Sequence, residues 1–136
     1  MPYHFDFDLN NKIIRCRFEG LITDDCLKEF YKNASKYGAL NPTFIGMLDT
    51  SAVTVVNFSS QTIRELAMLP PAFPDPEIPR IIIAGSPELF GLARMFDLWG
   101  SATRPNLHVV RTEREALAIL GIKDMRFAGG PPSTKI

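Results

Sequence analysis

Between Pro79 and Pro87 the chain reads Arg-Ile-Ile-Ile-Ala-Gly-Ser. Three consecutive β-branched residues favour an extended backbone, and with no polar residue among them neither face of the strand is suited to water. The segment predicts a central strand with Ile82 almost fully buried. The next residues predict a helix: Ser86 can accept a backbone N–H bond as N-cap, and Pro87 takes the first helical position, where its missing N–H is not needed. A strand buried on both faces that leads straight into a helix belongs in a parallel sheet covered by helices.

The remaining segments fit that plan. Phe5, Phe7 and Leu9 alternate with Asp6 and Asp8, and Ile14, Cys16 and Phe18 alternate with Arg15 and Arg17. This period of two predicts a pair of half-covered antiparallel strands, with Asn10-Asn11 supplying the positive-φ turn between them. Thr23 caps a first helix with Asp24 and Asp25 in its opening turn; Leu27, Phe30, Tyr31 and Ala34 form its apolar face, and Gly38 is its expected stop. Phe44 to Leu48 predicts another buried strand, ending at Asp49. Residues 50–60 are small, polar or β-branched and are expected to form a loop. A second helix then begins among Asn57, Ser59 and Ser60, turns Ile63, Leu66 and Ala67 inward, and is ended by Pro70-Pro71. Five prolines between Pro70 and Pro79 make an extended connector.

The third helix presents Leu89, Leu92, Ala93, Phe96 and Trp99 along one side. Leu107 to Val110 is the last strand, and Thr112 with Glu115 forms a capping box for a helix closed by Gly121. The order is β-β-α-β-α-β-α-β-α: an α/β domain over residues 1–122, with a mixed, largely parallel sheet of about five strands and about four helices. Residues 123–136, with Gly129-Gly130-Pro131-Pro132, are expected to be a flexible or partner-bound tail. The functional rim of such a sheet lies beyond the carboxyl ends of its parallel strands, here residues 20–24, 49–60, 85–88 and 111–112.

Charge and cysteine content narrow the function classes. Fifteen basic side chains balance fifteen acidic ones, so no overall field draws in nucleic acid. Cys16 and Cys26 are too few for a disulfide framework, and the start Met1-Pro2-Tyr3-His4 lacks the regions of a signal peptide, which suggests a cytoplasmic protein. No eighteen apolar residues run together, so no membrane span is expected. Cys16 reads as core. Cys26 lies in the first turn of a helix but beside Asp24 and Asp25, which oppose thiolate formation. His4 and His108 have no ligand-spaced neighbour, and neither nucleotide fingerprint is present, so no metal, cofactor or catalytic residue is expected.

Four groups of residues remain as candidate binding positions. Ser59 and Ser60, at a helix start, can serve as N-caps or as phosphoacceptors stabilised by the helix dipole. Gly85 and Ser86 offer backbone donors for a small anion, with Arg94 two turns later as a further partner. Met95 and Trp99, beside Arg94, form the aromatic, thioether and guanidinium mixture favoured at protein interfaces. Asp49 and Ser51 stand at the exit of the third strand.

Leu48-Asp49-Thr50-Ser51-Ala52-Val53 resembles the third strand and exit of the STAS domain, the fold of bacterial anti-sigma-factor antagonists (the SpoIIAA-like group), and the element order is similar to that of the related Sec14-like lipid carriers. The segments Ala84-Gly85-Ser86, Phe90 to Phe96 and Glu115-Ala116-Leu117 resemble a group of uncharacterised bacterial SpoIIAA-like proteins. The switch-bearing antagonists carry Asp-Ser-Ser-Gly at the next helix start, where this chain has Asn57-Phe58-Ser59-Ser60-Gln61. The resemblance implies a non-enzymatic module that binds a protein partner, using the rim at residues 49–60 and the third helix, and the apolar excess of the helix 87–99 points to a homodimer through it. The alternative it implies is a binder of a small apolar or anionic ligand.

Overall fold

A computed structural model describes residues 2–128. In chain order the elements are β1 (Tyr3–Asp8), β2 (Ile13–Thr23), α1 (Asp24–Leu40), β3 (Ile45–Asn57), α2 (Ser60–Met68), β4 (Arg80–Ile83), α3 (Pro87–Trp99), β5 (Leu107–Val110) and α4 (Glu113–Leu120). The five strands lie side by side in sequence order; β1 pairs antiparallel with β2, and all other pairs are parallel. This is the mixed, largely parallel sheet expected from the sequence.

Each parallel neighbour is reached through one crossover helix, and right-handed crossovers that all step in one direction stack their helices on one face. The cores reflect this. On one face Cys16, Phe18 and Ile22 of β2 meet Leu27 and Tyr31 of α1 and Ile63 and Leu66 of α2, with Leu92, Met95 and Phe96 of α3 packed against them. On the other face Ile13, Met47, Ile81, Ile83 and Val110 meet Ala116 of α4.

The predicted caps form. Thr23, Ser59, Ser86 and Thr112 each accept a backbone N–H three residues on, and Gly121 closes α4 at φ 68. Several expectations need correction. The hairpin turn spans residues 9–12, and its positive-φ residue is Lys12 (φ 58), not an asparagine. Asn11 instead binds Asp8: its backbone and side-chain nitrogens both donate to that carboxylate, at 3.0 and 2.7 Å. Asp8 therefore lies fully buried, and Leu9, expected inside, is 47% exposed in the turn.

Gly38 does not end α1, which runs on to Leu40. It is a contact point: a Cβ there would stand 2.0 Å from the Ala72 carbonyl oxygen of the proline-rich connector. Residues 50–57 are not a loop. Thr50, Val53, Thr54, Val55 and Val56 are β-formers, and they carry β3 alongside β2 as far as the pair Thr23↔Asn57. Gly20 sits at an irregularity of this ladder with φ 70, a conformation that suits glycine.

Ile82 is only half-buried, whereas Ile81 and Ile83 are each 1% exposed. Alternation assigns the buried pair to the α4 face and sets Arg80 and Ile82 on the face of α1–α3. Finally, residues 123–128 are not a free extension. Met125 and Phe127 pack on the second core, the Arg126 N–H donates to Asp8 at 2.9 Å, and Asn11 donates to the Asp124 carbonyl at 3.2 Å. Arg15, held by Asp6 through two bonds of 2.8 and 2.6 Å, lies 3.6 Å from the centre of the Phe127 ring. Gly129 to Ile136, the remainder of the expected tail, lie outside the described residues.

Candidate functional site

Large side chains from three helices meet one sheet face without filling the space between them. A cavity of about 160 Å³ lies there, lined among others by Phe18, Phe30, Leu66, Phe73, Leu92 and Phe96. Half-buried Ile82 belongs to the same wall. Gly46 makes room for Phe73, since a Cβ at this position would come within 2.6 Å of that ring.

Two arginines also line the cavity, Arg80 and Arg104, at 7% and 4% exposure. Arg104 lies beyond the third helix and caps the second. Its guanidinium donates to the carbonyls of Ala67 (2.8 Å), Leu69 (3.0 Å) and Leu66 (3.4 Å) and to the Tyr31 hydroxyl (2.7 Å), and it lies 4.8 Å from the Phe96 ring centre. The Tyr31 hydroxyl in turn donates to the Pro70 carbonyl at 2.6 Å. These bonds satisfy the carbonyls left free at the end of α2.

Arg80 is held differently. Its Nη2 donates to the carbonyls of Phe73 and Asp75, anchoring the connector, while Nε and Nη1 are buried without a partner among the described residues. Burial, and after it the nearby Arg104, pushes the Arg80 guanidinium below its ordinary value; Asp75 acts in the opposite sense. Neither arginine takes part in the ion pairs of the described residues, which are Arg15 and Arg17 with Asp6, and Arg94 with Asp97. Sequence reasoning passed over both. The signal at Arg80 was a lone charge opening an otherwise apolar strand whose neighbours are buried.

The positions singled out by sequence do not form one site. Asp49 accepts from the N–H and hydroxyl of Ser51 at 2.9 and 2.6 Å, a local contact within β3. Ser59 stands beyond Asn57, eight residues further along that strand, or roughly 26 Å of extended chain. Its hydroxyl accepts from the Thr62 N–H at 3.3 Å, and its own N–H donates to Asp24 at 3.0 Å. The side chain of Thr62 and the Ser59 N–H hold the Asp24 carboxyl below its ordinary value, so a negative charge already occupies the end of α2 where a phosphate on Ser59 would sit. Ser60 is the first residue of α2 and is exposed.

Gly85 is exposed, and Ser86 caps α3 by accepting from Leu89 at 3.2 Å. Arg94 reaches Asp97 at 3.8 Å, one turn further along the helix from that cap. Met95 is partly buried and packs on the first core, so it belongs to the interior more than to a surface. Trp99 is 36% exposed, Leu98 65%, Met68 75% and Leu69 45%; with Arg64 lying 5.2 Å from the Trp99 ring, they place apolar surface at the ends of α2 and α3. Both cysteines are free thiols. Burial raises Cys16, and burial followed by the Glu29 charge raises Cys26, which keeps both as thiols at neutral pH. No helix of the described residues is long and apolar enough to cross a membrane.

Comparison with known sequences is silent: no family model matches the chain, and no curated protein matches it. Solved structures are more informative. The chain is similar to the anti-sigma factor antagonist SpoIIAA in its unphosphorylated form, with a TM-score of 0.58 and 10% sequence identity over 90% of this chain and 99% of that one. A likeness at that identity speaks to architecture, and the architecture agrees in its five-stranded, largely parallel sheet and four helices. This chain has the STAS fold of SpoIIAA-like proteins.

Proposed function

We propose that the chain is a non-enzymatic, STAS-like regulatory module that works by holding a small apolar ligand between its sheet and α1–α3. The cavity of about 160 Å³ carries this reading. A largely apolar cavity of this size can take up a molecule on the scale of benzene. Displacement of α3 or of the connector 70–79, which both border the cavity, would report occupancy to a partner. A phosphoswitch at Ser59 is disfavoured by the Asp24 carboxylate beside it. Two free thiols suit a cytoplasmic setting.

The test is a titration of isotope-labelled protein with toluene, followed by methyl resonances of Leu66, Ile82 and Leu92 and by melting temperature. Saturable shifts confined to cavity methyls, with a raised melting temperature, are expected. No shift at millimolar toluene would overturn the reading.

A second reading is favoured by the apolar surface at the ends of α2 and α3, namely association with a protein, in the simplest case a symmetric homodimer through α3. Leu98, 65% exposed, is the residue to test, because Met95 packs inward. Leu98→Lys should shift a concentration-dependent dimer to monomer in sedimentation at unchanged melting temperature. A wild type that stays monomeric at high concentration would remove this reading.

A further inference from the structure

We infer that the molecule held in the cavity is a small apolar monocarboxylate whose head group is received by Arg80; the inference rests on the ligand-binding reading above. The observation that carries it is the incomplete bonding of a buried cation. A guanidinium has five N–H donors. At Arg80 those of Nη2 hold the Phe73 and Asp75 carbonyls, while the nitrogens Nε and Nη1, which carry the other three, are unpartnered and buried at the wall of an apolar cavity.

Anchoring the connector explains one nitrogen of Arg80 and leaves two unexplained. Buried donors without partners are costly, and a buried charge without a counter-ion more so. Arg104, on the same cavity, adds positive charge without bringing a carboxylate, because its own donors go to carbonyls, to the Tyr31 hydroxyl and to the Thr103 hydroxyl. Two guanidinium groups thus face one cavity, and among the described residues neither has an acidic side chain within ion-pair distance. An anion that brings its own apolar body matches both halves of this site.

Volume and charge restrict the anion further. About 160 Å³ admits roughly six to ten non-hydrogen atoms, on the scale of a benzene-sized guest. A dianion such as a phosphate monoester would lose far more hydration than the free donors of one arginine restore, so a monoanion is favoured. Short-chain fatty acids and aromatic acids such as benzoate share the required chemistry.

The experiment compares matched pairs by calorimetry: benzoate against benzamide, and hexanoate against hexanamide, with toluene as the neutral reference. A charge-assisted hydrogen bond in a buried site predicts that each acid binds roughly ten- to a hundredfold tighter than its amide. In Arg80→Gln that preference should vanish, each acid binding no tighter than its amide. If Arg80→Gln fails to fold, the acid-to-amide ratio of the wild type still decides, together with the Arg80 Nε–H resonance, which must move on benzoate addition. Toluene binding with equal or absent binding of acid and amide overturns the role of Arg80 and leaves the cavity reading standing. No binding of toluene or of the acids overturns both.

Discussion

Gly38 lies in the last turn of α1 with the proline-rich connector pressed against it. Replacing it by alanine sets two effects against each other. Helix propensity favours alanine by up to about 1 kcal/mol, less near a helix end. Against this, the new Cβ would stand 2.0 Å from the Ala72 carbonyl oxygen and 2.9 Å from its carbon. Ordinary carbon–oxygen contact needs more than about 3.2 Å, so the connector must retreat by about 1.2 Å or more. Overpacking of this kind costs about 1–3 kcal/mol. The clash involves backbone, which cannot swing aside as a side chain can, so the cost should win by about 1–2 kcal/mol. For a chain of this length that lowers the melting temperature by about 4–8 °C. Gly91 is the control. It lies in α3, exposed, and a Cβ added there would have nothing within 4 Å. Gly91→Ala should therefore stabilise by about 0.5–1 kcal/mol. Thermal unfolding of both variants by circular dichroism decides the matter. A Gly38→Ala protein that melts at or above wild type refutes the close approach of connector and helix.

Ile81→Ala should cost about 3–5 kcal/mol in chemical denaturation, and Ile82→Ala only about 1–2, because Ile81 is fully buried and Ile82 is only half-buried; equal losses would refute the assignment of faces in β4. Asp8 contributes to acid stability. Burial acts to raise its pKa, but the N–H donors of Asn11 and Arg126 outweigh it and hold the carboxyl below its ordinary 3.8. A carboxyl depressed on folding contributes stability that is present above its unfolded value and lost as pH falls through the lower folded value. Urea unfolding between pH 6 and about 2 should thus show wild type weakening below about pH 4, and Asp8→Asn should be weaker at neutral pH with a flatter acid limb. Parallel acid limbs for the two proteins would contradict this.

What the sequence revealed, it revealed through short-range rules. The caps at Thr23, Ser59, Ser86 and Thr112 and the helix stop at Gly121 depend on residues within one turn, and each was legible. Gly38 was misread because glycine carries two meanings, permissive backbone and absent side chain, and only the distant Ala72 decides between them. The strand beyond Asp49 was misread because its small and polar residues look like a loop until β2 is present to pair with them. Ile82 was judged by its apolar neighbours, whereas its burial depends on how well three helices fill one face of the sheet. The cavity and its two arginines are long-range outcomes of the same kind. Arg104 meets Tyr31 across seventy-three residues, and no local pattern could announce the contact.

The strands stand in the sheet in the order in which they occur in the chain, which bears on how the molecule forms during synthesis. Each new strand docks on the edge left by the previous one, so no earlier pairing has to open to admit a later one, and loop closure spans at most one helix and its connector. A ribosome releasing the chain from its N-terminus would expose one growing edge at a time, opposite the β1 edge that stays open, and each growing edge up to β4 is covered within roughly thirty residues. The second face is sealed last, because α4 and residues 122–127 emerge after all five strands. Until then Ile13, Met47 and Ile81 remain open to water, and Asp8 lacks the Arg126 N–H. Nascent chains stalled before residue 113 should accordingly be compact on the α1–α3 side, yet remain sticky and prone to capture by chaperones on the other.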